Sequence, residues 1–522
     1  MAVSRWKAVG STLLAAFLVG LVVLIAVLLI RTYTLPTAVR KWNRNESLIT
    51  ELAEKERKQL VEALKGAIRI PTVSFSEEEQ NTTALREFGE YIQKVFPQVF
   101  SSSLIQHEVL GGYSHLFKVQ GSDHNLLPYM LLAHIDVVPA PPESWEVPPF
   151  SGEERDGYIY GRGTLDDKNC VIGILQSLEF LLKRGHKPRR SFYIGLGHDE
   201  EISGHKGAQK IVEKLQSQGV KLAFVLDEGL AVLDGVIQGI SQPVALVGTT
   251  EKGSVTLDLT VNRLPGHSSM PPSETSIGIL AAAVSRHFLC LDWQSRLEQN
   301  MMPNMFGNGP EQDMFEHLST KFDFPLNIIM ANLWLFSPIL SRILELSPST
   351  NAIVRTTTAL TIFKAGIKSN VIPPTATATV NFRLHPAQTV QEVLDIVQNT
   401  IKDERVELSV LNSFDPLPVS PNDMSLGYHI LQRTIHDVFS GPPVAPGVCV
   451  GNTDSRHFVN LTNSIYRFSP VVLKKEDVDR IHGLNERISK EAIELLVQFY
   501  IQLIQNSDTD NIPPPHLDTH EL

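Results

Sequence analysis

Three cysteines in 522 residues, Cys170, Cys290 and Cys449, include no CxxC pair, so a disulfide framework is excluded as the main staple. Each is expected to serve as a small buried hydrophobe. Positive charge is also scarce: 46 Lys and Arg face 57 Asp and Glu for a net charge of -11. No basic run interleaves with aromatics, which excludes a nucleic-acid partner. No internal repeat is visible. What the chain does have is length, more than one hydrophobic core usually organises, and two or more domains are expected.

It also has one long apolar run. Arg5 and Lys7 precede an uncharged stretch from Ser11 to Ile30, STLLAAFLVGLVVLIAVLLI, about the 20 residues needed to cross a bilayer. Residues 1–34 are therefore a targeting segment outside the folded body, either a cleaved signal peptide or a signal anchor. Arg31, Arg40, Lys41 and Arg44 follow it, so flanking charge does not orient the span. Sequons at Asn45, Asn81 and Asn460 point to a lumenal or extracellular body.

Beyond residue 50, a helical pattern over Glu51 to Gly66 opens the body. Short apolar runs (LPYMLLAH, SFYIGLG, LAFVLDEG) then alternate with helical patterns over Val171 to Lys183 and Ala208 to Gln216. That alternation predicts an α/β fold with a mostly parallel sheet. From about Val247 the pattern shifts to SVTLDLTVN, a helix over Ser276 to Leu291, TATATVNFRL and a helix over Val390 to Ile401. Residues 247–411 are accordingly an expected insertion, an α+β second domain within a catalytic domain of residues 50–246 and 412–506. A flexible tail is expected over 507–522. Phe322 to Leu344, FDFPLNIIMANLWLFSPILSRIL, is apolar but broken by Pro325, Asn327, Asn332 and Pro338. Either a buried helix pair or a face toward an acyl chain or membrane fits it.

Polar residues able to bind metal recur where predicted strands end, the edge at which open α/β sheets carry their sites. His134 and Asp136 follow LPYMLLA; two residues apart in extended chain they share a face, so the aspartate can fix the imidazole tautomer. In GRGTLDDK the glycines permit a tight turn that aims Asp166 inward. Glu200 and Glu201 end SFYIGLG as GHDEE, where one can ligate metal while the other stays free as general base. Asp227 closes LAFVLD, and His482 lies in RIHGLNERI; singly, one could cap a turn and the other be a surface histidine. Together His134, Asp166, Glu201, Asp227 and His482 offer nitrogen and oxygen donors suited to zinc.

In order, HIDVVPA, GRGTLDDK, GHDEE, the strand-end Asp227, GHSSMPP and IHGLNE closely resemble the motifs of the zinc aminoacylase and carboxypeptidase family, which includes carboxypeptidase G, aminoacylase-1 and yeast carboxypeptidase S. The resemblance extends over about residues 60 to 505. It implies two zinc ions bridged by Asp166, with His134 and Asp227 completing one site and Glu201 and His482 the other. It further implies Glu200 as general acid and base, Asp136 behind His134, and a cis peptide between Asp166 and Asp167. His267 in GHSSMPP resembles a lid histidine that stabilises the oxyanion, often from a neighbouring subunit, which leaves a homodimer open. Asn370 and Arg456 resemble groups that hold a substrate carboxylate, a task an Arg fork suits.

Within that family the targeting segment, GHDEE and the apolar insertion resemble the branch that splits and joins N-fatty-acyl amino acids. Peptidases of the carboxypeptidase S type are the alternative, and a non-catalytic binding relative is more remote. The implied partners are small molecules (N-acyl amino acid, fatty acid, amino acid), with lipid-particle or membrane contact as a further expectation.

Overall fold

The computed structural model describes residues 2–34, 52–284, 302–422 and 425–508. Asn45, Cys290, the basic residues 40–44, the expected helix end beyond Val284 and the tail from 509 lie outside them.

In chain order the strands are β1 (Ile105–Leu110), β2 (Ser114–Val119), β3 (Tyr129–His134), β4 (Glu153–Arg155), β5 (Tyr158–Tyr160), β6 (Phe192–Gly197), β7 (Val225–Asp234), β8 (Val244–Glu251) and β9 (Gly253–Asn262). They continue with β10 (Gly266–His267), β11 (Thr357–Ala365), β12 (Val371–Ile372), β13 (Thr375–Leu384), β14 (Glu407–Phe414), β15 (Val444–Cys449), β16 (Ile465–Lys474) and β17 (Arg487–Ser489). An eight-stranded sheet runs β1-β2-β6-β3-β7-β16-β8-β15. Its centre is parallel, with β3 paired to β6 and β7, β16 to β7 and β15 to β8, while β1, β2 and the β8 contacts with β7 and β16 are antiparallel. The α/β expectation with a mixed, mostly parallel sheet therefore holds.

Helices cover this sheet as the crossovers require. The Lys168–Lys183 helix is buried along nearly its whole length, because Val171, Ile174, Leu175 and Leu178 pack in the core shared with the sheet and the Lys490–Asn506 helix presses on it from outside. Gly173 makes that crossing close; a Cβ there would overlap Leu496.

A second, four-stranded antiparallel sheet, β11-β13-β9-β14, has its own apolar core of Val255, Leu257, Leu259, Val380 and Phe382 beneath the Ser276–Val284 and Val390–Ile401 helices. The expected boundaries need correction on both sides. β8 lies in the large sheet, so the second sheet starts at Gly253 and not at 247, and β14 extends it to Phe414, past 411. Every residue of β8 is buried, as befits a strand covered on both faces, whereas β9 alternates buried and half-buried positions along the faces of its sheet.

The apolar N-terminal helix Ala2–Thr34 contains a 23-residue stretch, Thr12–Thr34, long and apolar enough to cross a membrane by length and composition, as a signal sequence would also be. The run Phe322 to Leu344 forms two helices, Leu326–Ala331 and Leu333–Leu344, broken at Asn332. Leu333, Leu340 and Leu344 are buried, while Trp334, Ile339 and Ile343 are exposed.

Candidate metal centre

The parallel register of β3 and β6 sets His134 level with Gly197, so the segments leaving both strands converge at one edge. His134 is buried; its Nδ1 lies 3.0 Å from the Asp136 carbonyl oxygen and 3.4 Å from the Asp136 carboxylate. A proton held there leaves Nε2 as the free donor atom. Nε2 stands 2.9 Å from Asp166 Oδ1 and 3.2 Å from Glu228 Oε1. Across Asp166, Oδ2 is 2.9 Å from His482 Nε2, which is 3.2 Å from Glu201 Oε2. Two triads thus share one carboxylate: His134, Asp166 and Glu228, and Asp166, Glu201 and His482.

Backbone geometry holds these groups. The peptide between Asp166 and Asp167 is cis. Glu486, also buried, accepts the backbone N–H of Gly163 (3.1 Å), Leu165 (2.6 Å) and Asp166 (3.3 Å), and its other oxygen accepts from Arg162 Nη1 at 2.7 Å. Arg162 also donates to the carbonyls of His482 and Gly483, so one ion pair ties the Asp166 turn to the His482 loop. His482 itself has φ +57°, an unusual conformation for a residue with a Cβ and one that clusters at functional sites. The Asp136 carboxylate accepts the N–H of Glu200 and Glu201, while Glu201 Oε1 accepts from Val138 N. That leaves Glu201 Oε2 toward His482.

The sequence expectation is corrected at Asp227. It is buried outside both triads, and its place beside His134 is taken by Glu228. Asp227 Oδ1 accepts from Glu228 N at 3.0 Å and Oδ2 from Ser455 N at 2.7 Å, so both oxygens are engaged by backbone. Neighbours in a strand point to opposite sides, and β7 turns Glu228 to the cluster and Asp227 to the Asp454–Asn460 turn. The signal was present as the adjacent acid in LDEG, but nothing in the sequence says which face is inward.

Four acidic groups crowd two imidazoles here. Burial, opposed by His134 and reinforced by Glu228 and Glu201, pushes the Glu200 carboxyl well above the carboxylate range. Burial and then the Asp166 charge do the same to Glu228. Burial opposes ionisation of Asp166 too, but the imidazoles of His134 and His482 pull it far down. His482 is pushed up to about 10 by its bonds to Asp166 and Glu201. So many buried carboxylates ask for cations, and nitrogen plus carboxylate oxygen is a donor set that fits zinc.

His267, Asn370 and Arg456 are not brought to the triads by any hydrogen bond or ion pair among the described residues. His267 is exposed on β10, which pairs with β12, and its Nδ1 lies 2.7 Å from Ser269 Oγ. The Asn370 carbonyl accepts from Ser268 N, so these two sit together on the rim of the second sheet. Arg456 packs over the Phe414 ring, 5.6 Å from its centroid, beside Arg383 of β13. Burial and the Arg456 charge lower the Arg383 guanidinium while the Glu200 charge raises it, and Arg383 Nη1 donates to Asn452 Oδ1 at 2.5 Å.

Histidines and carboxylates converging in pairs at the C-terminal edge of a mostly parallel sheet define a metal-dependent hydrolase. The chain belongs to peptidase family M20/M25/M40, whose sequence pattern matches residues 130–506. It is 98% identical over 522 residues, all of both chains, to an N-fatty-acyl-amino acid synthase/hydrolase of Xenopus tropicalis. It is 59% identical over 483 residues (92% of this chain, 94% of the other) to the protein so named in Mus musculus. Among solved structures, an M20 family metallo-carboxypeptidase from Sulfolobus solfataricus superposes with TM-score 0.63 at 18% identity, over 87% of this chain and 100% of the other, a likeness of fold.

Proposed function

We propose that this chain is a two-zinc amidohydrolase that splits, and in reverse joins, the amide bond between a fatty acid and an amino acid. The observation that carries the metal chemistry is Asp166, whose two oxygens each stand 2.9 Å from a different imidazole. The name of the 98%-identical relative supports the substrate class.

His134, Asp166 and Glu228 would hold one ion, and Asp166, Glu201 and His482 the other. Zinc at these positions supplies Lewis acidity toward the amide carbonyl and lowers the pKa of water. Glu200 is free of both triads; it takes the proton of the attacking water and passes it to the amine nitrogen as the C–N bond breaks. Asp136 serves catalysis by orienting His134 and both glutamates. Arg456, with Arg383, and Asn370 bind the substrate carboxylate. His267 donates to the oxyanion after the second sheet closes as a lid, or from the second copy in a homodimer. The reverse reaction crosses the same transition state, and concentrations set the direction.

The apolar N-terminal helix and the exposed Asn81 and Asn460 sequons support a secreted or signal-anchored body in the secretory pathway. N-terminal sequencing of material released from cells decides between the two.

The activity is tested with the full zinc-loaded chain on N-oleoyl-phenylalanine, N-acetyl-phenylalanine and a dipeptide, with products read by mass spectrometry. Preferential oleate release is expected, and Glu200→Gln lowers kcat by roughly 10²- to 10⁴-fold, the usual worth of a general acid or base. Preferential dipeptide cleavage would move the assignment to a carboxypeptidase of the carboxypeptidase S type. No turnover by zinc-loaded protein would overturn the enzymatic proposal.

A further inference from the structure

Glu200 and Glu201 ride on one short loop, residues 197–204, whose middle is a 3-10 turn over Glu200–Ile202. Glu201 has an anchor for its own side chain in Val138 N. Glu200 has none: among the described residues its carboxylate makes no hydrogen bond, so the backbone of the loop alone places it. Asp136 holds that backbone from one side, through the N–H groups of Glu200 and Glu201.

From the other side the loop meets the Asp454–Asn460 turn. Asp454, itself buried, is wedged between the two ends of the loop: a Cβ on Gly197 would overlap its Oδ2, and one on Gly204 its Oδ1. Three residues on, His457 Nε2 lies 3.0 Å from the Ser203 carbonyl oxygen. A carbonyl only accepts, so this nitrogen carries the proton. Burial and then the Arg456 charge pull the ring's pKa down to about 4, so the ring is neutral and Nε2 is its one donor. Arg456 Nε, 3.4 Å from the same nitrogen, finds no lone pair there. Ser203 needs this partner. Its φ of +98° is one that a residue with a Cβ seldom adopts and keeps only where the surroundings fix it. Its N–H closes the turn on the Glu200 carbonyl at 2.9 Å, so a shift of Ser203 is passed directly to Glu200.

We propose, resting on the reading of Glu200 as general base, that His457 is a positioning residue for the reaction: through the Ser203 carbonyl it fixes the turn that presents Glu200. The turn that carries His457 also carries Arg456, whose Nη2 is buried and makes no hydrogen bond among the described residues. One element thus sets both the cation read above as holding the substrate carboxylate and the base that serves the water. The spacing between them is built into the fold, which is what orientation requires. Releasing Ser203 costs the base its place and leaves Arg456 where it was.

The test sets His457→Phe, which keeps a ring beside His205 and removes the donor, against His457→Gln, whose amide N–H reaches about as far as the ring Nε2. Both are made in the full zinc-loaded chain and assayed on N-oleoyl-phenylalanine. His457→Phe is expected to lower kcat roughly 10- to 100-fold, the range that loss of an outer-shell partner costs. KM should stay within about twofold of the parent, since ground-state binding is untouched, and elemental analysis should find both zinc ions retained. His457→Gln should regain most of the lost rate. A merely structural part for His457 would show instead as a raised KM through its neighbour Arg456, as loss of zinc, or as an equal fall in kcat in both variants; any of these, or a parent-like kcat in His457→Phe, would overturn the proposal. His457→Asn, polar but too short to reach Ser203, serves in place of His457→Phe should that variant not fold. Glu200→Gln, assayed alongside, separates the two readings: an unchanged kcat there would sink the general base itself, whereas its expected loss beside an unaffected His457→Phe sinks only the link through His457.

Discussion

The two sheets are built on opposite rules. β8 of the large sheet is buried at every position and β3 and β6 likewise, whereas β9 and β13 of the second sheet alternate. The large sheet also buries acids and bases at its edge, while the second has a core of aliphatic side chains and Phe382. A sheet covered on both faces can enclose charges that need one another and a metal; a sheet with one working face keeps its polar residues on the other. Hence the large sheet is expected to fail through its charges and the second through its packing and caps.

The largest effect expected separates neighbours on β7. Glu228→Ala loses one of two zinc equivalents by elemental analysis, and activity falls by more than the roughly 10- to 100-fold that loss of an outer-shell partner costs. Asp227→Asn keeps both ions and loses only stability, about 1 to 3 kcal/mol for leaving a buried amide badly paired. Equal metal loss in both variants would erase the distinction drawn between the two faces of the strand.

Next comes Glu486→Gln. The variant keeps an acceptor for the N–H groups of Gly163, Leu165 and Asp166 but leaves Arg162 buried without its counter-charge. A broken buried ion pair costs about 3 to 5 kcal/mol. A drop in Tm together with weaker zinc retention is expected; a drop in Tm alone would show that the pair does not position Asp166.

Lys252 joins the sheets and tests their seam. It is buried between β8 and β9, its Nζ donating to the carbonyls of Ala352 and Arg355, each at 2.8 Å, and burial followed by the Arg383 charge lowers its pKa to about 7. Between that value and the ordinary 10.5 the unfolded chain binds the extra proton, so this lysine's contribution to stability rises with pH across the window. Relative to Lys252→Met, the Tm of the parent should climb from pH 7 to pH 9.5; parallel profiles would refute a neutral buried amine.

The smallest effect belongs to the second sheet's cover. Thr389 accepts from Glu392 N while the Glu392 carboxylate accepts from Thr389 N, and Thr389→Ala should cost about 1 kcal/mol with zinc content unchanged.

Much of this was legible in the chain. LPYMLLAH, SFYIGLG and LAFVLDEG are β3, β6 and β7 within a few residues, because a continuous apolar run bounded by glycine and charge has few other uses in an α/β protein. The domain seam was misplaced by six residues at its start, 247 against 253, since VALVGTTE carries no sign of which sheet will accept its hydrogen bonds. Arg383 and Arg456 likewise lie far apart along the chain, and only the packing of the second sheet sets one charge beside the other.

The sequence by itself determined the ingredients and their order: an apolar span before the body, strand ends carrying His134, Glu200 and Glu201, and a glycine-flanked turn presenting Asp166. These depend on local pattern, period two for strands and 3.6 for helices, which neighbouring residues alone can express. Tertiary structure alone decided that Glu228 and not Asp227 faces His134, and that Glu486 holds the Asp166 turn. Each depends on the register and approach of segments far apart in sequence. A strand's two faces are equivalent until something packs on one of them.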